Sequence, residues 1–196
     1  MICCFKGKFR VTSPRGTRTL GGVTAFHKGI DLVGMDDTTV YSISDGVVTT
    51  SYQANGAGYY VVVTMADGRR VFYMHLKANS FKVKNGEMVK KGQALGIMGS
   101  TGDSTGAHTH LEIRPAGTTN ESLDICEFTG IPNKIGVYEY KAEITPYEAA
   151  CRIEDKCGLE KQTMSYLWKY KYANELMIKL WRAMECNQNS PDLQNT

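Results

Sequence analysis

The chain has 196 residues, 42% of them hydrophobic and 22% charged, with a formal net charge of +3. These figures fit one medium domain, or a domain with a small appendage, and they supply enough apolar residues for a conventional core. They argue against a nucleic-acid binder, whose basic residues would gather in a stripe instead of being scattered; mild basicity suits attraction to an anionic polymer.

The opening stretch, MICCFKGKFRV, lacks the apolar run of roughly 7–15 residues that a secretory signal needs. No stretch is long and apolar enough to span a membrane. The expectation is a soluble chain with no signal peptide and no membrane insertion. Cys3, Cys4, Cys126, Cys151, Cys157 and Cys186 are scattered and form no CxxC pair. They read as reduced thiols, some buried as small hydrophobes, and not as a disulfide framework or a zinc finger.

Up to about residue 130 the chain alternates short Val- and Thr-rich runs with glycine turns. The runs "TTVYSI", "GVVTTSY", "YYVVVTM", "RRVFYMHL" and "HTHLEIR" read as strands. The pairs Asp45-Gly46, Asn55-Gly56, Asp67-Gly68, Asn85-Gly86 and Lys91-Gly92 read as turns. In "VKNGEMVKKGQALG" the close glycines predict tight hairpins. The fold class is therefore mainly β, a small antiparallel β-sandwich or barrel, over residues 1–133.

After residue 136 glycine nearly vanishes. Thr145-Pro146-Tyr147-Glu148 has the signature of a helix start, and Gly158 that of its end. A second helix is predicted from about Leu159 to Cys186, with Tyr166, Tyr170, Ala173, Met177, Leu180 and Met184 at helical spacing. Residues 145–187 thus read as a C-terminal helical hairpin, and residues 188–196 as a disordered tail. Trp168 and Trp181 on the second helix serve packing, or contact with a second copy or another protein.

Four histidines carry the chemistry. In a strand, residues i and i+2 share a face, so His108 and His110 of "GAHTHLEI" aim at one place. Two adjacent imidazoles on one face suit a metal, because zinc binds them neutral. In "FHKGIDL", His27 and Asp31 lie four apart, a separation that also brings them to one side. His27, Asp31 and one of the strand histidines make three protein ligands. Three ligands leave a fourth position open, the pattern of a catalytic zinc site. His75, in "FYMHL", and the remaining strand histidine are then left for proton transfer and oxyanion stabilisation. Glu112 shares the face of His110 and suits a supporting role. Asp45 and Asp103 read as turn residues. Tyr73, Ser104 and Thr105 are groove candidates, with core and turn roles as their plain alternatives.

The segments "FRVTSPRGTR", "FHKGIDL", "VYSISDGVV", "YMHL" and "VKNGEMVKKGQALGIMGSTGDSTGAHTHLEIR" resemble, in order and spacing, the lysostaphin-like (LytM-type) zinc endopeptidases. The resemblance covers roughly residues 8 to 117. It implies an antiparallel β fold with a site in a loop-walled groove, and one zinc ion held at His27, Asp31 and His110. It also implies catalytic roles for His75 and His108, and bacterial peptidoglycan as substrate. Where the family runs into a Pro-containing turn after the aspartate, this chain has "LVGMDDTTV". The expected activity is hydrolysis of a peptide bond in the stem or cross-bridge, in a phage-type lysin released by lysis or carried on the virion. The alternative is a catalytically silent wall-binding or regulatory module of the same fold.

Overall fold

The computed structural model describes residues 1–117, 120–141, 149, 153, 157–158 and 173–188. The chain divides into two compact units, Met1–Ala142 and Glu143–Thr196.

In the first unit, eight strands form one antiparallel sheet in the order β12-β1-β4-β11-β8-β7-β6-β9. These are β12 (Gly136–Tyr140), β1 (Gly7–Ser13), β4 (Ile30–Gly34), β11 (Thr109–Arg114), β8 (Arg70–Leu76), β7 (Gly58–Thr64), β6 (Gly46–Gln53) and β9 (Met88–Val89). Two further antiparallel pairs are β10 (Ala94–Ile97) with β5 (Thr39–Tyr41), and β2 (Gly16–Leu20) with β3 (Val23–His27). One short helix, α1 (Ile125–Thr129), is capped by Asp124, whose carboxylate accepts from the amides of Cys126 and Glu127.

The alternation that predicted strands also builds the core. On β1, Phe9 and Val11 point inward while Lys8 and Arg10 stay exposed. Ile30 and Leu32, Leu111 and Ile113, Val71 and Tyr73, and Val61 and Val63 continue that inner face across the sheet. Val40 of β5 and Leu95 of β10 pack in the same buried cluster. Full burial of each such side chain is worth roughly 1.5–3 kcal/mol. The antiparallel fold expected from the sequence is the one observed.

Two details differ. Gly86 and Gly92 do turn the chain, with φ of 84° and 85°. The short strands around them nevertheless do not pair with each other: β9 pairs with β6 and β10 with β5. The second turn carries the chain from the large sheet to the small one. The β domain also does not stop at residue 133. β12 pairs along β1 from Gly7↔Tyr140 to Val11↔Gly136, and Tyr138 and Tyr140 pack against the core. Its alternation, "GVYEY", is a strand signal that the loss of glycine masked.

In the second unit, α2 (Ala173–Gln188) gives the C-terminal part of the second predicted helix. Ala149, Ile153 and Cys157 are helical. The remainder of the predicted helical hairpin, including Trp168, and residues 189–196 of the tail lie outside the described residues.

Candidate active site

The site is assembled by the turn between β3 and β4 and by the start of β11. His27 closes β3 and Asp31 lies in β4, so the two occupy successive strands instead of one extended face. Gly29, between them, lets this turn pack closely against β11. A Cβ there would lie 2.4 Å from the Leu111 carbonyl oxygen and 2.7 Å from Nε2 of His110. Asp31 pairs directly across the sheet with His110.

Three donor atoms converge as a result. His27 Nε2 lies 3.1 Å from Asp31 Oδ1 and 3.0 Å from His110 Nδ1, and His110 Nδ1 lies 2.9 Å from Asp31 Oδ1. Ligands bound at zinc distances in a tetrahedron would be separated by about 3.3 Å, close to these values. The opposite ring nitrogens are occupied in the way a metal requires. His27 Nδ1–H donates to the Pro14 carbonyl at 2.8 Å, and His110 Nε2–H to Glu112 Oε2 at 3.3 Å. Each partner fixes a tautomer whose lone pair faces the other two donors. The three residues therefore fit a metal ion.

Charge follows the same plan. Burial alone would raise the Asp31 carboxyl, but the His110 and His27 rings set against it outweigh burial and hold it well below the usual range. Burial opposes the charged form of His110, yet Asp31 and Glu112 together raise it above an ordinary histidine. Asp31 Oδ2 meets Arg18 Nη1 at 3.0 Å, and the same nitrogen donates to Ser13 Oγ.

Beside the triad stands a second imidazole pair. The rings of His75 and His108 are 4.7 Å apart. His75 has a left-handed backbone, φ 62°, which is uncommon outside glycine. That conformation ends the alternation of β8 and turns the ring away from the core face that Tyr73 occupies. His75 Nδ1–H donates to the Thr101 carbonyl at 2.8 Å, leaving Nε2 as an acceptor. Burial, with His108 and His110 nearby, lowers its pKa. His108 Nδ1–H donates to the Gly106 carbonyl at 2.8 Å, and its Nε2 lies 3.7 Å from Asp31 Oδ1. Gly102 and Gly58 allow the loop bearing Thr101 to close on β7, since a Cβ on Gly102 would lie 2.3 Å from the Gly58 nitrogen.

The structure thus brings His27, Asp31, His75, His108 and His110 together. The groove residues fare differently. Tyr73 is fully buried, and its hydroxyl accepts from the Ile43 amide at 2.8 Å, so it belongs to the core. Ser104 bonds the Gly106 carbonyl and lies 3.3 Å from His108 Nδ1, which makes it a prop for that ring. Thr105 is exposed on the same loop. A cavity of about 340 Å³ opens beside the triad, walled by Arg18, Val23, Phe26 and Lys28 as well as His27 and His110. Arg18 was not singled out from the sequence. The signal for it was the Gly21-Gly22 pair between two short alternating runs, which marks the β2–β3 hairpin that carries it.

An antiparallel β domain that presents a His–Asp–His donor set beside two further imidazoles has the architecture of a metallopeptidase. Residues 25–122, half of the chain, match the model of peptidase family M23, and the chain belongs to that family. It is 34% identical over 134 residues to the peptidoglycan DD-endopeptidase ShyA of Vibrio cholerae, covering 65% of this chain and 30% of that protein. The catalytic domain of lysostaphin from Staphylococcus simulans is similar in structure, with a TM-score of 0.55 and 32% identity over 63% of this chain and 91% of that one. A zinc-containing peptidase from Vibrio cholerae gives a TM-score of 0.51 and 31% identity, over 59% of this chain and 35% of that one. The chain spans between about a quarter and 30% of the length of the first curated relatives it matches.

Proposed function

We propose that the protein is a zinc-dependent endopeptidase that hydrolyses peptide bonds in the stem or cross-bridge of bacterial peptidoglycan. The observation that carries this reading is the convergence of His27 Nε2, Asp31 Oδ1 and His110 Nδ1 beside the His75–His108 pair. Two imidazoles and one carboxylate, with no fourth protein ligand among the described residues, suit a catalytic zinc site. The names of the ShyA and zinc-peptidase relatives support the substrate and the metal.

Bound there, zinc would supply Lewis acidity toward the scissile carbonyl and bring the pKa of water down to about 7. His75, whose pKa is lowered by burial and whose Nε2 is left as an acceptor, would take the proton of the attacking water. His108 directs its Nε2 at the same region, where an imidazole can stabilise a developing oxyanion and return a proton to the leaving amine. The Thr101 and Gly106 carbonyls fix both rings, so little reorientation is needed during turnover.

We place this activity in a phage-type lysin, released at lysis or mounted on the virion. The net charge of +3 supports approach to an anionic wall. The C-terminal region expected to be helical, residues 145–187, would then contact a second copy or a virion protein.

The test is digestion of purified walls of several bridge types, with mass spectrometry of the released fragments. New amine and carboxyl ends, lost with a chelator and in His108→Ala, are the expected result. Absence of cleavage by the fully metal-loaded protein would favour the silent wall-binding module instead.

A further inference from the structure

We infer that Arg18 is a positioning residue that restricts Asp31 to ligation through a single oxygen and thereby keeps one coordination position open. The inference rests on the metal-site reading above. The two carboxylate oxygens of Asp31 have different surroundings. Oδ1 lies within 3.1 Å of both ligand nitrogens, from His27 and His110. Oδ2 instead meets Arg18 Nη1 at 3.0 Å, the one donor to that oxygen among the described residues.

The hairpin makes this geometry reproducible. β2 and β3 pair in register, with Arg18 opposite Ala25 and Gly16 opposite His27. The strand that delivers the arginine is therefore bonded to the strand that delivers a ligand. Ser13 accepts from the same guanidinium nitrogen and steers it. The Asp31 side chain is only 10% exposed and that of Arg18 34%, so the pair is partly withdrawn from water, where a charge-assisted bond is strong. Thr12 Oγ1 donates to the Asp31 carbonyl at 3.2 Å; that bond fixes the backbone but leaves the carboxylate free to rotate.

Without Arg18, Oδ2 would be an unpaired anionic oxygen next to a divalent cation. A carboxylate in that position rotates until both oxygens bind. Beside the three donors and a bound water, that second oxygen would be a fifth ligand atom, crowding the position that a catalytic site keeps open for water and substrate.

Cobalt substitution tests this directly, because coordination geometry is diagnostic for transition ions and four-coordinate cobalt absorbs visible light far more strongly than five-coordinate cobalt. The full-length protein, Arg18→Met and Arg18→Lys would each be titrated with Co²⁺, and absorbance recorded per bound ion. The expected result is an intense spectrum for wild type and Arg18→Lys, and one several-fold weaker for Arg18→Met. A role confined to hairpin stability would lower the melting temperature of Arg18→Met but leave absorbance per bound cobalt unchanged. Equal spectra for wild type and Arg18→Met would overturn the inference alone. Failure of the wild-type protein to take up one cobalt ion would instead overturn the metal-site reading on which it stands.

Discussion

Glu112 Oε2 lies 3.3 Å from Nε2 of His110, and Arg114 holds the same carboxylate through Nε at 2.7 Å and Nη2 at 3.2 Å. The guanidinium of Arg114 rests over the Phe72 ring, 4.1 Å from its centroid. Burial would raise the Glu112 carboxyl, but its bonds to His110 and Arg114 prevail and lower it to about 2. Glu112 is therefore an anion with a fixed orientation, and it sets which nitrogen of His110 carries the lone pair. Loss of such a partner typically costs roughly 10–100-fold in metal affinity. Glu112→Gln should weaken zinc binding by that order in a chelator competition, with the circular dichroism spectrum unchanged. Wild-type affinity in the variant would mean that the ring is oriented by something else.

The two imidazole pairs should separate by metal content. His110→Ala removes one of three donors and should abolish stoichiometric zinc. His75→Ala and His108→Ala leave the donors in place, so both should keep the metal while turnover falls about 10²–10⁴-fold, the usual contribution of a positioned acid or base. Elemental analysis beside a wall-digestion rate decides the matter. Loss of zinc from His75→Ala would make that residue a ligand.

Metal affinity should depend on pH through His110. The ring must be neutral to bind, so protons and metal compete for it. Because Asp31 and Glu112 raise its pKa, the metal-free protein keeps that proton to a higher pH than an ordinary histidine would. Affinity should accordingly fall as pH drops through the raised pKa, by about tenfold per unit for one displaced proton, and level off above it. Glu112→Gln should move the onset of the fall to lower pH. An onset that does not move on that substitution would show that Glu112 does not govern the titration.

The sequence carried the site residues further than it carried their supports. His108 and His110 were legible because strand periodicity alone puts them on one face. His27 and Asp31 were legible as a pair, but not as residues of two successive strands, because Gly29 turns the chain between them and its role depends on how closely Leu111 and His110 approach. Of Arg18 only the hairpin that carries it was legible, through Gly21-Gly22, and not its reach to Asp31. A long side chain that crosses from a hairpin to a neighbouring strand leaves no periodic trace. The Pro14 and Thr101 carbonyls are backbone groups, and no residue type announces them. β12 was missed because one period-two run was outweighed by the compositional change around it.

Tyr73 and His75 show the same limit from the other side. Two residues apart on a strand, they should share a face, and the positive φ of His75 is what separates them. Tyr73 stays with the core, where its hydroxyl is the acceptor for the buried Ile43 amide. Tyr73→Phe keeps the ring and removes that acceptor, and an unsatisfied buried donor costs about 1–3 kcal/mol. The denaturation midpoint should fall accordingly, while turnover per folded, zinc-loaded molecule stays at the wild-type value. A variant of unchanged stability that cleaves walls more slowly would return this tyrosine to the substrate groove.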